Sequence, residues 1–522
     1  MSGPLDKDLW RAAALAAIGA TTAALLLMTS DLIGFFFDDA IYALTAQAIA
    51  DGHGFTYMHL PGHPPAIHYP PLWPLLLSLG FILGPEFPQN AGWLRLMNPV
   101  IIGGAAALAT FYVIRVLGFR PRAALGVVLL GFISVQVQFL VNTILSEPFF
   151  LLWFFAALLL AERARTRGTA TDWALLGVAV GCAVLTRTLG FALVLAVLSV
   201  AVLDRQWRGG AVFAAALGLT LLPWQLFVWR VAPGFPPEIA GSYGNYLSFV
   251  TRGYVEGGLT VVSEVVMKNL RDSWDFIGVP LQPFGGVPWR FPLGALAVLA
   301  LLGGCIASLW RPAERVLALA TLGYIAAVIV WPFHVERFYW GLWPAFIILV
   351  ALGIRALLAW GGRLAPLPRR LAMGAAVTLG GVLAVGNIAY NVNGLNKGHV
   401  SLAPGVMTNR NLPMLRYINS REDFRDKVVS ADVASMASLY SGLELIPTGD
   451  LRVTDHVRGA NVQESANRLV AIDARYRPEV FVFLRGPGMA RVMPLATFAD
   501  GRTFVEVPSG DSAIQLFELE AP

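Results

Sequence analysis

The sequence predicts a polytopic α-helical membrane protein with a soluble α/β domain at its C-terminal end. Of its 522 residues, 56% are hydrophobic and only 14% are charged, which is far more apolar than a soluble protein of this size. Apolar runs of about 20 residues, enough to cross a bilayer core of about 30 Å, recur along the chain. Arginines concentrate in the short loops between these runs, as in cytoplasmic loops. Membrane orientation therefore explains the net charge of +5, and nucleic-acid binding is not expected.

The first apolar run, residues 10–29, is long for a secretory signal and has no convincing cleavage site, so we expect a retained transmembrane helix. No lysine or arginine occurs between Arg11 and Arg95, which predicts an extracytoplasmic first loop. Within it, helical spacing after Asp39 predicts an amphipathic helix at the membrane surface that stops at Gly52 and Gly54. The run 70–84 has three prolines and about 15 residues, so we expect a re-entrant or interfacial segment.

Apart from the run 70–84, the apolar runs give eleven crossings, with the N-terminus in the cytoplasm and the C-terminus outside. They are residues 10–29, 94–117, 123–145, 149–161, 173–186, 189–203, 211–231, 291–310, 316–332, 338–360 and 371–390. Every short inner loop then carries arginine, as the positive-inside rule requires.

We expect two domains, a transmembrane domain over residues 1–395 with outer loops 30–93 and 232–290, and an extracytoplasmic α/β domain over residues 396–522. In the second domain, KVVSAD and EVFVFL are typical of buried strands, and VASMASLYSG and VQESANRLVAIDARY of helices. No catalytic motif is evident there. The domain is expected to cover the membrane site, contact an acceptor, or serve as a structural cap.

This topology places polar residues from several loops at one membrane face, where ionisable groups are costly and usually functional. The set is Asp38, Asp39, His53, His59, His63, His68, Tyr69, Glu147, Arg187, His334, Glu336 and Arg337. Asp38 and Asp39 are the candidate catalytic residues, because a general base can deprotonate an acceptor hydroxyl or amine. The candidate substrate-binding residues are Tyr42, His68, Tyr69, Glu147, Arg187, His334, Glu336 and Arg337.

Simpler structural roles stay open for these residues. Asp38 or Asp39 can cap the following helix, and Glu147 can favour the dipole of the helix it begins. Arg187 can extend to the interface as a membrane anchor, or clamp the phosphate of a lipid-linked donor with its planar fork of donors. The His334, Glu336 and Arg337 segment can be an internally paired loop.

The four histidines from His53 to His68 raise the question of a metal site. Their spacings of six, four and five residues match no compact zinc pattern, so a zinc site is not favoured. A divalent cation held by Asp39 and Glu147 is the alternative metal site. Cys182 and Cys305 lie in apolar stretches and predict no disulfide.

Six ordered motifs resemble the GT-C glycosyltransferases, most closely the family of protein mannosyltransferases and lipid A aminoarabinose transferases. They are FFFDDAIYALTAQAIADGHGF, HYPPLWPLLLSLGFILG, GWLRL, LSEPFFLLWFF, GCAVLTRTLGF and HVERFYWGLWPAFIILVALGI, which are distributed along residues 30–355 in the family's order. The resemblance implies a GT-C fold of about eleven helices. It also implies a polyprenyl-phosphate sugar donor, no nucleotide, often no metal, and inversion at the anomeric carbon.

The same resemblance assigns roles to particular residues. The family's catalytic acidic pair, commonly Asp-Glu, matches Asp38 and Asp39, so the second acid differs here. Tyr69 stands where family members often have a lysine before the paired prolines. Arg187 and Arg337 match positions of family cations, and Glu147, in turn, matches the acidic residue of the second outer loop.

Three functions are consistent with these observations. The first is transfer of a hexose or pentose from a polyprenyl-phosphate carrier to a lipid, glycan or protein acceptor at the outer face of the plasma membrane. The second is a lipid-glycan transporter or flippase, which would favour internal repeats and charges near the bilayer midplane. The third is a membrane scaffold that displays the C-terminal domain.

Overall fold

The computed structural model describes residues 4–281, 287–486 and 489–521. Its helices are α1 Pro4–Leu26, α2 Asp38–Ala50, α3 Leu72–Leu83, α4 Ala91–Arg115, α5 Pro121–Phe132, α6 Val135–Asn142, α7 Glu147–Arg167, α8 Ala170–Thr186, α9 Phe191–Leu203, α10 Trp207–Val231, α11 Ala240–Tyr243, α12 Tyr246–Gly278, α13 Val287–Leu309, α14 Arg315–Ile329, α15 Glu336–Trp340, α16 Trp343–Gly361, α17 Pro366–Asn396, α18 His399–Ser420, α19 Ala434–Ser441, α20 Val453–Arg458, α21 Val462–Tyr476 and α22 Met489–Val492. The strands are β1 Val429–Ala431, β2 Leu445–Pro447, β3 Val480–Leu484, β4 Thr503–Val507 and β5 Ile514–Glu520.

The chain forms two compact units. The helical unit comprises Met1–Thr29, Arg95–Pro223 and Val266–Ser401, and the mixed unit comprises Ser30–Leu94, Trp224–Val265 and Leu402–Pro522. The mixed unit thus unites most of the two predicted outer loops with the predicted C-terminal domain.

Each of the eleven predicted crossings coincides with a helix or a helix pair of the structure. Among the described residues, six helices are long and apolar enough to span a membrane, or seven if the bent α5 and α6 pair forms one span. Helices α8 and α14 are apolar but shorter. The membrane-protein fold class is confirmed, while the number of eleven crossings stays a prediction.

Local sequence explains how the helical unit bends and packs. Between α5 and α6 the chain turns by 57°, where the Ser134 side chain accepts a hydrogen bond from the Val137 N–H. The Gln138 amide donates to the Phe132 carbonyl at 2.8 Å and so satisfies an acceptor that the bend frees. Helices α13 and α16 approach closely at Gly304 and Gly353. The glycines permit this approach, because a Cβ atom at either position would collide with the backbone of the facing helix.

The sheet of the mixed unit has the strand order β2-β1-β3-β5-β4. Strands β1, β2 and β3 are parallel, and β5 is antiparallel to both β3 and β4. Val480 and Val482 of β3 face one core cluster, whereas Phe481 and Phe483 face another, so β3 is buried on both sides. The predicted strands KVVSAD and EVFVFL and the two predicted helices are confirmed as β1, β3, α19 and α21.

Two predicted segments differ from expectation. Helix α2 ends at Ala50, before Gly52 and Gly54 as predicted, but it is not amphipathic, because most of its residues are buried and it packs against α3 and α19. Its alanines allow this close packing, which helical spacing alone does not reveal. The predicted outer loop 232–290 contains helix α12 in its described part, and this helix breaks at Gly258, where φ is 64°.

Candidate active site

Asp38 and Tyr69 meet at the start of α2. The Tyr69 hydroxyl donates to Oδ1 of Asp38 at 2.6 Å, a short bond of the kind made to an ionised acceptor. Phe37, which precedes Asp38, has a φ of 69°, a left-handed conformation that bulky residues rarely adopt. This turn and the tyrosine together fix the direction of the half-buried Asp38 carboxylate.

Aromatic side chains surround this pair in the mixed unit. The Tyr69 ring lies 4.8 Å from the Tyr42 ring and 4.6 Å from the His68 ring, and the Tyr246 ring lies 4.0 Å from His68. His68 Nδ1 is 2.6 Å from the Gly244 carbonyl, so we assign the proton to Nδ1, where it can donate. Burial lowers the pKa of His68 to about 4, which makes the ring neutral at pH 7.

Asp39 has a different environment from Asp38. Its carboxylate is buried and accepts hydrogen bonds from the backbone N–H groups of Gly34 at 2.7 Å and Phe36 at 2.9 Å. Burial raises the pKa of Asp39 to about 6, although these hydrogen bonds oppose the rise. The side chain therefore holds the turn before α2. Capping of α2 by a side chain is not observed, since its N-cap residue is Phe37.

Glu147, Arg187 and Arg337 form a buried cluster in the helical unit. Oε1 of Glu147 lies 2.9 Å from Nη1 of Arg187 and 3.3 Å from Nε of Arg337. Arg187 also donates to the Ser146 hydroxyl at 3.0 Å, and both guanidinium groups lie about 5.5 Å from the centre of the Phe338 ring. The Glu147 side chain is fully buried and those of the arginines are 8% and 18% exposed.

In this cluster one carboxylate contacts two guanidinium groups. Guanidinium groups offer planar forks of donors that match carboxylate and phosphate oxygens, so the cluster is suited to an anionic ligand. Gly341 leaves room for the carboxylate, since a Cβ atom there would lie 2.9 Å from Cγ of Glu147. Arg187 leaves α8 in an extended conformation, with a φ of −149°, and is thereby placed beside the N-terminus of α7.

No protein-family model and no curated protein sequence matches the chain significantly. Among solved structures, ArnT from Cupriavidus metallidurans bound to undecaprenyl phosphate is 13% identical with a TM-score of 0.54, and the match covers 95% of this chain and 96% of ArnT. The same enzyme in the apo state is 14% identical with a TM-score of 0.52, and the match covers 95% of each chain. ArnT has the GT-C fold.

This chain has the GT-C fold. Arabinofuranosyltransferase AftD from Mycobacteria is a weaker match, 14% identical with a TM-score of 0.40, and covers 97% of this chain and 40% of AftD. The low identities mean that these likenesses concern the fold alone.

Two further predicted residues, His334 and Glu336, precede Arg337 in the chain. His334 is exposed, and Glu336 is half-buried at the start of α15, where burial raises its pKa. Arg337 pairs with Glu147, which lies outside the His334 to Arg337 segment.

The four histidines of the first loop have four different surroundings. His53 is exposed, and Nε2 of His63 lies 2.9 Å from Oε1 of Glu444. His59 is buried, neither of its ring nitrogens has a hydrogen-bond partner, and burial lowers its pKa to about 3. His68 belongs to the Asp38 surroundings described above. Within the described ranges, no three His, Cys, Asp or Glu side chains come together as metal ligands.

Sequence reasoning did not find Tyr246, Gly244, Ser146 or Phe338. Tyr246 and Gly244 lie about 180 residues from His68 in the chain, and no spacing links the two segments. Ser146 and Phe338 do stand beside predicted residues, in LSEPFF and HVERFYW. Adjacency to a buried charge was the available signal for those two.

Proposed function

We propose that this chain is an inverting glycosyltransferase that takes a sugar from a polyprenyl-phosphate carrier at the outer face of the plasma membrane. One observation carries the proposal, the buried cluster in which Arg187 and Arg337 share the single carboxylate of Glu147 within a GT-C fold.

The two arginines are suited to the phosphate of such a donor. A guanidinium group offers a planar fork of donors that matches phosphate oxygens, and it stays protonated at any physiological pH. The Glu147 carboxylate contacts both guanidinium groups and keeps them close together. The two cations are therefore positioned before a ligand binds. The GT-C structure of ArnT with undecaprenyl phosphate supports a carrier of this chemical class.

Asp38 is the proposed general base. Its carboxylate takes a proton from an acceptor hydroxyl or amine, whose oxygen or nitrogen then attacks the anomeric carbon of the sugar. The bond between that carbon and the phosphate oxygen breaks, and the carrier leaves as polyprenyl phosphate, whose charge Arg187 and Arg337 stabilise. Attack opposite the leaving group inverts the anomeric configuration. Tyr69 orients Asp38 through its hydrogen bond.

Two further observations support an outer location. Residues 30–94, 224–265 and 402–521 fold into one unit, which is expected if the loops among them lie on one side of the membrane. Even numbers of crossings must then separate these segments, and the predicted topology has six between the first and second and four between the second and third. The lack of lysine and arginine in the first segment favours the extracytoplasmic side.

The test is carrier release by purified protein in proteoliposomes that contain undecaprenyl-phosphate sugars. We expect free undecaprenyl phosphate, detected by mass spectrometry, only when protein and acceptor-containing cell-envelope extract are present. A lipid-glycan flippase would instead move the labelled lipid across the bilayer without releasing the carrier. A scaffold would do neither, and either result would overturn the proposal.

A further inference from the structure

The mixed unit contains a cleft with a volume of about 880 Å³ that the proposed chemistry leaves without a role. Its lining comes mainly from the segment 232–245, the first part of α12 and seven residues between Asp450 and Glu464. The volume lies within the range of about 300–1,000 Å³ that small-molecule sites occupy. The cleft is thus large enough for a short oligosaccharide.

Hydrogen bonds tie the segment before α12 to residues 450 and 451. The Asp450 carboxylate accepts from the backbone N–H groups of Gly241 at 2.8 Å and Ser242 at 2.6 Å. The Ser242 hydroxyl in turn accepts from the Leu451 N–H at 3.2 Å. Gly253 permits the close approach, because a Cβ atom there would collide with the Val453 side chain. The cleft is therefore preformed, which reduces the entropy that a ligand must lose on binding.

Charges in the cleft are balanced. Its lining holds three arginines and three acidic residues. Two of the arginines already have acidic partners. Nη1 of Arg452 lies 3.2 Å from Oε2 of Glu464, and Nε of Arg458 lies 2.9 Å from Oε2 of Glu264. A net-neutral lining of this kind provides no excess cation for a phosphate.

Arg252 and Glu256 are the remaining charged pair of the lining. They are exposed, lie one turn apart on α12, and form no ion pair with any residue in the described part of the chain. A guanidinium donates hydrogen bonds and a carboxylate accepts them, so together they match sugar hydroxyls, which do both. The rings of Phe235 and Phe249 also line the cleft and offer apolar surface to the C–H faces of a sugar.

The cleft adjoins the surroundings of Asp38. Ile67 and Gly244 line it, and the Gly244 carbonyl accepts the hydrogen bond from His68. The His68 ring contacts Tyr69, whose hydroxyl reaches Asp38. A ligand in the cleft would therefore share a wall with the residues that orient the proposed general base.

We propose that this cleft is the acceptor subsite and that it binds a neutral oligosaccharide. The assignment of the bound glycan as the acceptor rests on the proposed function, whereas the binding of a neutral glycan does not. Arg252 and Glu256 recognise its hydroxyls, and the cleft sets acceptor affinity without taking part in bond breaking.

Binding is tested by calorimetric titration of the full-length protein in detergent micelles. The probes are tetrasaccharides of glucose, mannose and galactose, with tetragalacturonate as the anionic comparison. We expect a neutral tetrasaccharide to bind, and Arg252→Ala and Glu256→Ala each to weaken its binding about ten-fold, as for lost hydrogen bonds to charged groups. Thr251→Ala, an exposed position on the same helix outside the lining, is the matched control and should bind normally.

The assignment is overturned if no neutral tetrasaccharide binds, if only tetragalacturonate binds, or if the Arg252 and Glu256 variants bind as well as the wild type. Carrier release separates this result from the proposed function. With a functional transferase, the two variants should raise the KM of the acceptor about ten-fold and leave kcat unchanged. Glycan binding without any carrier release would refute the proposed transferase activity and support the glycan site in the cleft. Carrier release with an unchanged acceptor KM in the two variants would support the transferase activity and refute the acceptor subsite.

Discussion

Replacing Glu147 with glutamine should destabilise the protein strongly and change how it responds to an anionic lipid. The carboxylate is fully buried, and its Oε1 atom lies 2.9 Å from Nη1 of Arg187 and 3.3 Å from Nε of Arg337, so Glu147→Gln removes the negative charge that both guanidinium groups contact. Loss of one partner from a buried ion pair costs about 3–5 kcal/mol, and Glu147 serves two cations, so we expect about 4–5 kcal/mol.

Arg337→Gln provides the matched comparison. It leaves the neutral pair of Glu147 and Arg187, and the Arg337 side chain is 18% exposed with the longer of the two contacts. We therefore expect a cost of about 1 kcal/mol or less, as for a partly solvated pair. The order of stabilities tests the charge reasoning, because both substitutions remove one charge from the same cluster.

The assay is thermal unfolding of the purified variants in detergent micelles, followed by tryptophan fluorescence, with and without undecaprenyl phosphate. Without the lipid, Glu147→Gln should unfold several degrees below the wild type and Arg337→Gln close to it. A ligand at 100 times its Kd adds about 2.7 kcal/mol, and the lipid should protect Glu147→Gln most because it supplies the missing negative charge. Equal unfolding temperatures for Glu147→Gln and wild type, or no effect of the lipid on any variant, would refute this reasoning.

Three further substitutions separate structural from chemical roles. Asp39→Asn should cost about 1–3 kcal/mol of stability, because an amide cannot accept both backbone hydrogen bonds, and a variant with normal thermal stability would contradict this. Tyr69→Phe should lower kcat about ten-fold in steady-state transfer assays, since it removes the bond that orients Asp38, and an unaltered kcat would exclude that role. His59→Phe should raise the unfolding temperature, because it removes two buried nitrogens without partners. Burial holds the pKa of His59 near 3, below its unfolded value of about 6.5, so its contribution to stability is present above pH 6.5 and is lost as the pH falls towards 3. Unfolding temperatures measured from pH 7 to pH 4 should therefore fall less for His59→Phe than for wild type, and parallel curves would contradict the assignment.

Apolar periodicity and arginine placement were sufficient to predict the helices of the membrane part, because both follow from the bilayer as a solvent. The same holds for the end of α2 before Gly52, where glycines with positive φ close the helix. Strands β1 and β3 could be predicted because buried parallel strands are runs of apolar residues flanked by polar ones.

The surroundings of the candidate site were harder to predict, because they depend on contacts between distant segments. Nothing in the first loop indicates that Gly244 fixes the His68 tautomer or that Tyr246 packs on its ring. Asp38 and Asp39 are neighbours in sequence with the same side chain, yet their hydrogen-bond partners differ. After the turn at Phe37, Asp38 accepts from the hydroxyl of a tyrosine and Asp39 accepts from two backbone N–H groups. Such differences arise from backbone geometry, which residue type does not encode.

The most direct measurement of the central claim is carrier release by Asp38→Asn. Asp51→Asn is the matched control, since Asp51 is an exposed carboxylate at the other end of the same helix. Loss of a general base typically lowers the rate about 10²–10⁴-fold, so we expect Asp38→Asn to release undecaprenyl phosphate at least 100 times more slowly than wild type, and Asp51→Asn at the normal rate. Equal release by Asp38→Asn and wild type, with both proteins folded, would contradict the account.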